Sequence, residues 1–192
     1  MKEKFGLIKG YQNNNSLRKS FNSLAQSIFG FKKSKEYMHY KNINNNTEKI
    51  VERFLLTGAE DRKKLESAIR NSSVQSYLWL KNNLELSMFY ITKFMNNDVY
   101  FIKSQNTYVI AEQNNEILYL YQVFAPNKVN LDEIIVAFGK SIKKVVLGFT
   151  PLFKEGYESE EINDEDTTLF IKGEAIELFE RNNLRIPILA RT

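Results

Sequence analysis

Between Val99 and Phe149 the chain reads VYFIK, TYVIAE, EILYLYQV, LDEIIVAFGKSI and KKVVLGF, and this run constrains the fold more than any other. Its first three segments are short, rich in Val, Ile, Tyr and Phe, and parted by the turn-forming triplets SQN and QNN. That pattern predicts an antiparallel meander at 99–103, 107–112 and 116–123. A helix follows: Asn130 stands three residues before Glu133 in a capping-box arrangement, and Leu131, Ile134, Ile135 and Phe138 share one face. Lys144 to Phe149 predicts a fourth strand, parallel or adjacent to the meander, once the helix has crossed one face. The spine is β-β-β-α-β. The class expected is mixed α/β (α+β), a mostly antiparallel sheet with helices on its faces.

The flanking segments add less regular elements. Phe5 to Tyr11 predicts a short strand. Ser16 can cap a helix striped with Leu17, Phe21, Leu24 and Ile28, and Gly30 suits its end. FKKSKEYMHYKNINNNTEK predicts a short edge strand and an Asn-rich linker from Asn42 to Thr47, with His39 as a surface strand residue. From Ile50 to Asn97 the pattern is helical: a short element around Val51, Phe54 and Leu55, a helix at Glu60 to Asn71, another segment at Val74 to Asn82, and LELSMFYITKFM from Leu84, apolar nearly all round and suited to burial against the sheet. Seven acids between Glu155 and Asp166 predict a solvated acidic loop. Thr167 to Ile171 returns to strand, Glu174 to Arg181 to helix, and Arg185 to Ala190 to a last strand that Pro187 keeps at an edge.

Composition closes off several chemistries. There is no cysteine and one histidine, so thiolate and His-rich metal sites are excluded, and the acidic run lacks the spacing and central glycine of a calcium loop. No metal is expected. The longest clean apolar run, IIVAF, is far too short for a membrane span, and the N-terminal residues lack a leader pattern, so a cytoplasmic protein without membrane contact is expected. Residues 1–97 carry a net charge of +9 and residues 98–192 carry −5. A basic half with Lys32, Lys33, Lys35 and Lys41 interleaved with Tyr37 and Tyr40 can serve nucleic acid, but it can equally dock on its own acidic half, and nucleic acid is the lesser reading.

Certain segments are similar to a known family. VVLGFTPLFKEGYESEE, DEDTTLFIKG and NNLRIPILA resemble the C-terminal half of bacterial N-acetyltransferases of the GNAT superfamily, in which a coenzyme-binding core is followed by a second, GNAT-like half. GLIKGYQNNNSLRKSFNSLAQSIFGF resembles the first strand and helix of that group's catalytic core. The resemblance implies two parts: residues 1–47 as a remnant of the core (strand, helix and basic linker), and residues 48–192 as the C-terminal GNAT-like domain. Most of the core is expected to be missing, with Phe29, Gly30 and Phe31 at the junction. AQSIFGF puts Gln26 where the family carries the tyrosine that protonates the departing thiolate, and glutamine has no ionisable proton to give.

The family's cofactor is acetyl-CoA, held by an Arg or Gln, two residues, Gly, one residue, then Gly or Ala, where bare N–H groups at a helix N-terminus cradle the pyrophosphate. No segment fits that motif. The corresponding link, FAPNKVN from Phe124 to Asn130, has no glycine and contains a proline without an N–H. Lys128 and Asn130 are its candidate coenzyme contacts, and Tyr157, after Gly156 in the loop beyond the fourth strand, is the candidate catalytic phenol; an aromatic lid beside the acidic loop is its alternative role. The expected function is therefore an N-acetyltransferase by descent, moving acetyl from acetyl-CoA to a small-molecule or peptide amine, impaired by the missing loop. The alternatives are a non-catalytic GNAT-like binding or dimerisation module, with a homo-oligomer as one partner, and a nucleic-acid contact through the basic half.

Overall fold

The computed structural model describes residues 5–9, 30–163 and 167–191. The predicted stripe of Leu17, Phe21, Leu24 and Ile28 lies outside the described residues, as does Gln26. Ten strands and four helices are described: β1 (Phe5–Lys9), β2 (Phe31–Ser34), β3 (Tyr37–Asn42), β4 (Glu52–Arg53), α1 (Ala59–Arg70), α2 (Leu84–Phe94), β5 (Val99–Ile102), β6 (Thr107–Asn114), β7 (Ile117–Phe124), α3 (Leu131–Val136), β8 (Lys144–Leu147), β9 (Glu158–Glu161), β10 (Thr167–Lys172) and α4 (Ala175–Arg181). They form a seven-stranded sheet in the order β4-β5-β6-β7-β8-β3-β9 and a three-stranded sheet in the order β1-β10-β2. Only the β7–β8 pair is parallel among the described strands.

The meander forms where the alternation and turn residues put it. Asn106 and Asn115 take left-handed backbone angles (φ 49° and 54°) at the two reversals, a conformation asparagine tolerates better than most residues. β6 and β7 then pair over their whole lengths, with one irregularity between Ile110 and Ala111. The parallel β7–β8 pair needs a crossover, which the link and α3 supply. The Asn130 side chain accepts from the Asp132 N–H at 3.0 Å, half of the predicted capping box; Glu133 does not reach back but accepts from Gln105 Nε2 at 2.9 Å. Ile134, Ile135 and Phe138 pack with Val109, Leu118, Leu120, Val145 and Leu147 on one face of the sheet. The other face carries α1 and α2 over Val99, Tyr108, Ile110 and Phe124.

Several expectations are corrected. Val51, Phe54 and Leu55 flank a strand, not a helix: β4 is held by pairing with Tyr100 and Phe101 of β5, and two residues are too few to show a period. Val74 to Asn82 is irregular, fixed by a bridge between Ser76 and Pro151. β3 is not an edge strand but lies between β8 and β9, and His39 is 1% exposed there. Part of the acidic run, Glu158 to Glu161, is itself the edge strand β9, matched by Lys35 to Glu161 at 2.7 Å and by the Tyr40 hydroxyl donating to Glu158 at 3.0 Å. The predicted last strand is an extended segment ending in a 3-10 turn at Ile188–Ala190. α2 buries Leu84, Ser87, Met88 and Ile91, yet leaves Phe89 and Phe94 exposed, because it packs by one face on the sheet and α1.

Strands on both sides of residue 47 share the large sheet, since β3 pairs with β8 from His39↔Leu147 to Asn42↔Lys144. No helix among the described residues is long and apolar enough to cross a membrane.

Candidate functional site

The point where a parallel pair parts is the natural place for a ligand in such a sheet, because it leaves main-chain groups of two strands without a neighbour. Here the β7–β8 ladder ends when the Gly148 N–H donates to the Leu120 carbonyl at 2.7 Å. Beyond it the chain supplies its own filling. The Gly148 carbonyl accepts from the Ile188 N–H at 3.0 Å, the Thr150 carbonyl accepts from the Tyr77 N–H at 2.9 Å, and the Thr150 hydroxyl accepts from the Arg185 N–H at 2.7 Å. Gly148 is needed for this closeness: a Cβ there would stand 2.9 Å from the Tyr121 Cα and 3.1 Å from the Ile188 side chain. Leu189 is buried in the same cluster as Phe124.

The link between β7 and α3 is tied down in the same way. The Ala125 N–H donates to Ser72 Oγ at 3.1 Å and the Val129 N–H to Gln75 Oε1 at 3.2 Å, while Gln75 Nε2 donates to the Asn127 carbonyl at 2.7 Å. The Asp132 N–H is spent on Asn130. A pyrophosphate cradle needs several convergent donors; Pro126 has none and two neighbours have committed theirs, so these residues do not fit acetyl-CoA. Ser72 and Gln75 were not singled out in the sequence, and no local signal marks them, since their partners lie some fifty residues on.

The sequence-predicted site residues meet only in part. Asn130 caps α3, and the Tyr157 hydroxyl donates to Asp132 Oδ1 of the same first turn at 3.4 Å. Lys41 Nζ donates to both Asp132 oxygens at 2.9 and 2.8 Å and lies 5.4 Å from the centre of the Tyr157 ring. Burial, then the Asp132 charge, pushes the Tyr157 phenol well above its ordinary range. A phenol so placed holds its proton and is a weaker acid than free tyrosine. Tyr157 packs on the core cluster as an aromatic cover. Lys128 is exposed.

A second polar cluster pins the C-terminal segment. Glu36 Oε1, in a side chain 9% exposed, accepts from the Ile186 N–H and from Arg191 Nη2, both at 2.9 Å. Arg185 Nη1 donates to the Leu147 carbonyl at 2.7 Å. Burial, with the Arg191 charge second, lowers the Arg185 guanidinium to about 10, so it remains a cation at neutral pH. His39 Nε2 lies 2.8 Å from the Asn183 carbonyl and so carries the proton in that bond. Among the described residues no group of three or more His, Cys, Asp or Glu could hold a metal ion.

No protein-family model matches the chain, and no curated protein matches its sequence. Solved structures are similar to it, among them the following two. One is a GCN5-related N-acetyltransferase from Sphaerobacter thermophilus, at 10% identity and a TM-score of 0.36, the match covering 85% of this chain and 57% of that one. The other is Eis1 from Mycobacterium abscessus, at 8% identity and a TM-score of 0.37, covering 88% of this chain and 46% of that one. The chain thus spans about half the length of the structures it matches.

Proposed function

We propose that the chain is a GNAT-like binding module that does not transfer acetyl groups. The observation that carries this reading is the link from Phe124 to Asn130, where Ser72 and Gln75 take the N–H groups of Ala125 and Val129 and Pro126 offers none. What remains near it is Lys128, exposed, with Lys63 and Lys64 of α1 in the pocket beside Phe124, Ala125 and Pro126, each already paired with an acid, and the N-terminus of a six-residue helix whose dipole contributes roughly 0.3–1 kcal/mol. Desolvating a diphosphate costs far more than that. The Tyr157 phenol, held by Asp132 with its acidity reduced, supports the same reading.

Calorimetry with acetyl-CoA up to millimolar concentration, run beside a thiol-release assay on a panel of amines, tests it. No saturable heat and no thiol release are expected. Thiol release above background overturns the reading, and saturable binding tighter than millimolar that Lys128→Ala abolishes overturns its premise that the link holds no pyrophosphate.

A further inference from the structure

A cleft of about 740 Å³ opens between the end of α1, the segment that follows it, the first turn of α2, β7 and residues 187–190. Small-molecule sites run from roughly 300 to 1,000 Å³. Trp79, Phe124 and Leu189 give it apolar walls. Gln122 lines it from β7: the residue is 7% exposed, and its Oε1 is buried without a hydrogen-bond partner. Buried side-chain amides are nearly always bonded, so an orphaned acceptor on a side chain that lines a cleft marks a place for a donor, which a turn of the amide would bring into reach.

A separate feature of the same cleft has the opposite polarity. α2, eleven residues long, begins there with no side chain capping its first N–H groups, because Asn83 turns its amide to Ser87 Oγ at 3.2 Å and to the Leu189 carbonyl at 3.0 Å. Arg70 and Lys81 line the cleft beside that turn, against one acid, Glu85. Uncapped N–H groups and two cations favour an anion.

We propose that this cleft binds a small organic anion: an apolar or aromatic body carrying an N–H or O–H donor for Gln122 and an acidic group for Arg70, Lys81 and the start of α2. The site rests on the non-catalytic reading above, in that the ligand is held and not transformed. Trp79 is the sole tryptophan of the chain, so its fluorescence reports on this cleft.

Anilinonaphthalene sulfonate has the required parts and serves as the probe. Titration should quench Trp79 saturably, and phenylnaphthylamine, which lacks the sulfonate, should bind at least about tenfold more weakly, as expected for a lost charge-assisted contact. Gln122→Leu should weaken the dye roughly three- to tenfold, the scale of one hydrogen bond. Arg70→Ala with Lys81→Ala, both on exposed side chains, should weaken the sulfonate but not the neutral dye. Phe89 and Phe94 form the rival dye site on α2, and Phe94→Ser should leave the affinity unchanged. The proposal is overturned by absence of quenching, by equal affinity for the two dyes, by indifference to the Gln122 and Arg70/Lys81 variants, or by loss of binding in Phe94→Ser. Thiol release from acetyl-CoA in the presence of an amine, alongside normal dye binding, would sink the non-catalytic reading and leave the cleft standing; the reverse pattern would sink only the cleft.

Discussion

Replacing Glu36 with alanine should be among the most damaging single changes in the chain. Its carboxylate is 9% exposed and accepts two donors on one oxygen, the Ile186 N–H and the Arg191 guanidinium. Removing it leaves the Arg191 charge, 18% exposed, with the nearby Arg185 cation and no counter-charge, and it orphans a backbone donor. Breaking a buried pair from one side costs about 3–5 kcal/mol. For a domain of this size each kcal/mol lowers the melting temperature by about 2–4 °C, so a fall on the order of 10 °C is expected. Glu36→Gln keeps an acceptor for the Ile186 N–H but not the charge, and should cost about half as much. Joint replacement of Glu36 and Arg191 by leucine and methionine should recover the share due to the stranded charge, about half of the loss, while the Ile186 N–H stays unpaired. Urea unfolding followed by Trp79 fluorescence and by circular dichroism measures all three. The neighbouring exposed pair Lys35–Glu161 is the control, and Lys35→Ala should leave the midpoint nearly unmoved. A Glu36→Ala cost under about 1 kcal/mol with an unchanged urea slope, or a double variant no better than the single one, would refute the reasoning.

Three further outcomes are expected. Burial foremost, with Lys154 and Arg185 adding like charge, lowers the His39 pKa below its ordinary 6.5. The unfolded chain therefore takes up the proton first: stability is complete above about pH 6.5 and falls below it by at most about 1.4 kcal/mol per pH unit, and urea midpoints from about pH 7 to 5 should show a slope that His39→Gln flattens. Gly148→Ala should cost about 1–3 kcal/mol by thermal melting, and adding Ile188→Ala should not restore it, since the nearest obstacle is the Tyr121 backbone at 2.9 Å. Asn130→Ala should cost about 1 kcal/mol in the same assay, while Asn130→Asp should preserve the cap.

The elements legible in the sequence are those whose signal is local. The meander shows in alternation and in two asparagines able to turn the chain, α3 in a cap and a one-faced stripe, and β10 and α4 in composition. What escaped is decided at long range. β4 exists because β5 offers it an edge, and β9 shows four polar residues because only β3 borders it on one side. His39 reads as a surface residue until β8 and β9 enclose its strand. The absence of a glycine loop was visible in FAPNKVN, but the grip of Ser72 and Gln75 on that link was not. Gln122 did leave a trace, as the one uncharged polar side chain inside ILYLYQVF. Glu36, Arg185 and Arg191 left none, because two short stretches at opposite ends of the described chain build their cluster.

The placement of β3 also sets a schedule for synthesis. β3 leaves the ribosome early, yet its two partners, β8 and β9, are translated roughly a hundred residues later, a wait on the order of 5–20 s at ordinary elongation rates. Throughout that interval the strand, which begins with Tyr37, has two open hydrogen-bonding edges, and Phe31 precedes it in β2. Lys35 and Lys41, which pair with Glu161 and Asp132 in the finished sheet, and with them Lys32 and Lys33, then act as repulsive guards between nascent chains. Neutralising them should lower the soluble yield in cells more than it lowers the stability of the purified protein.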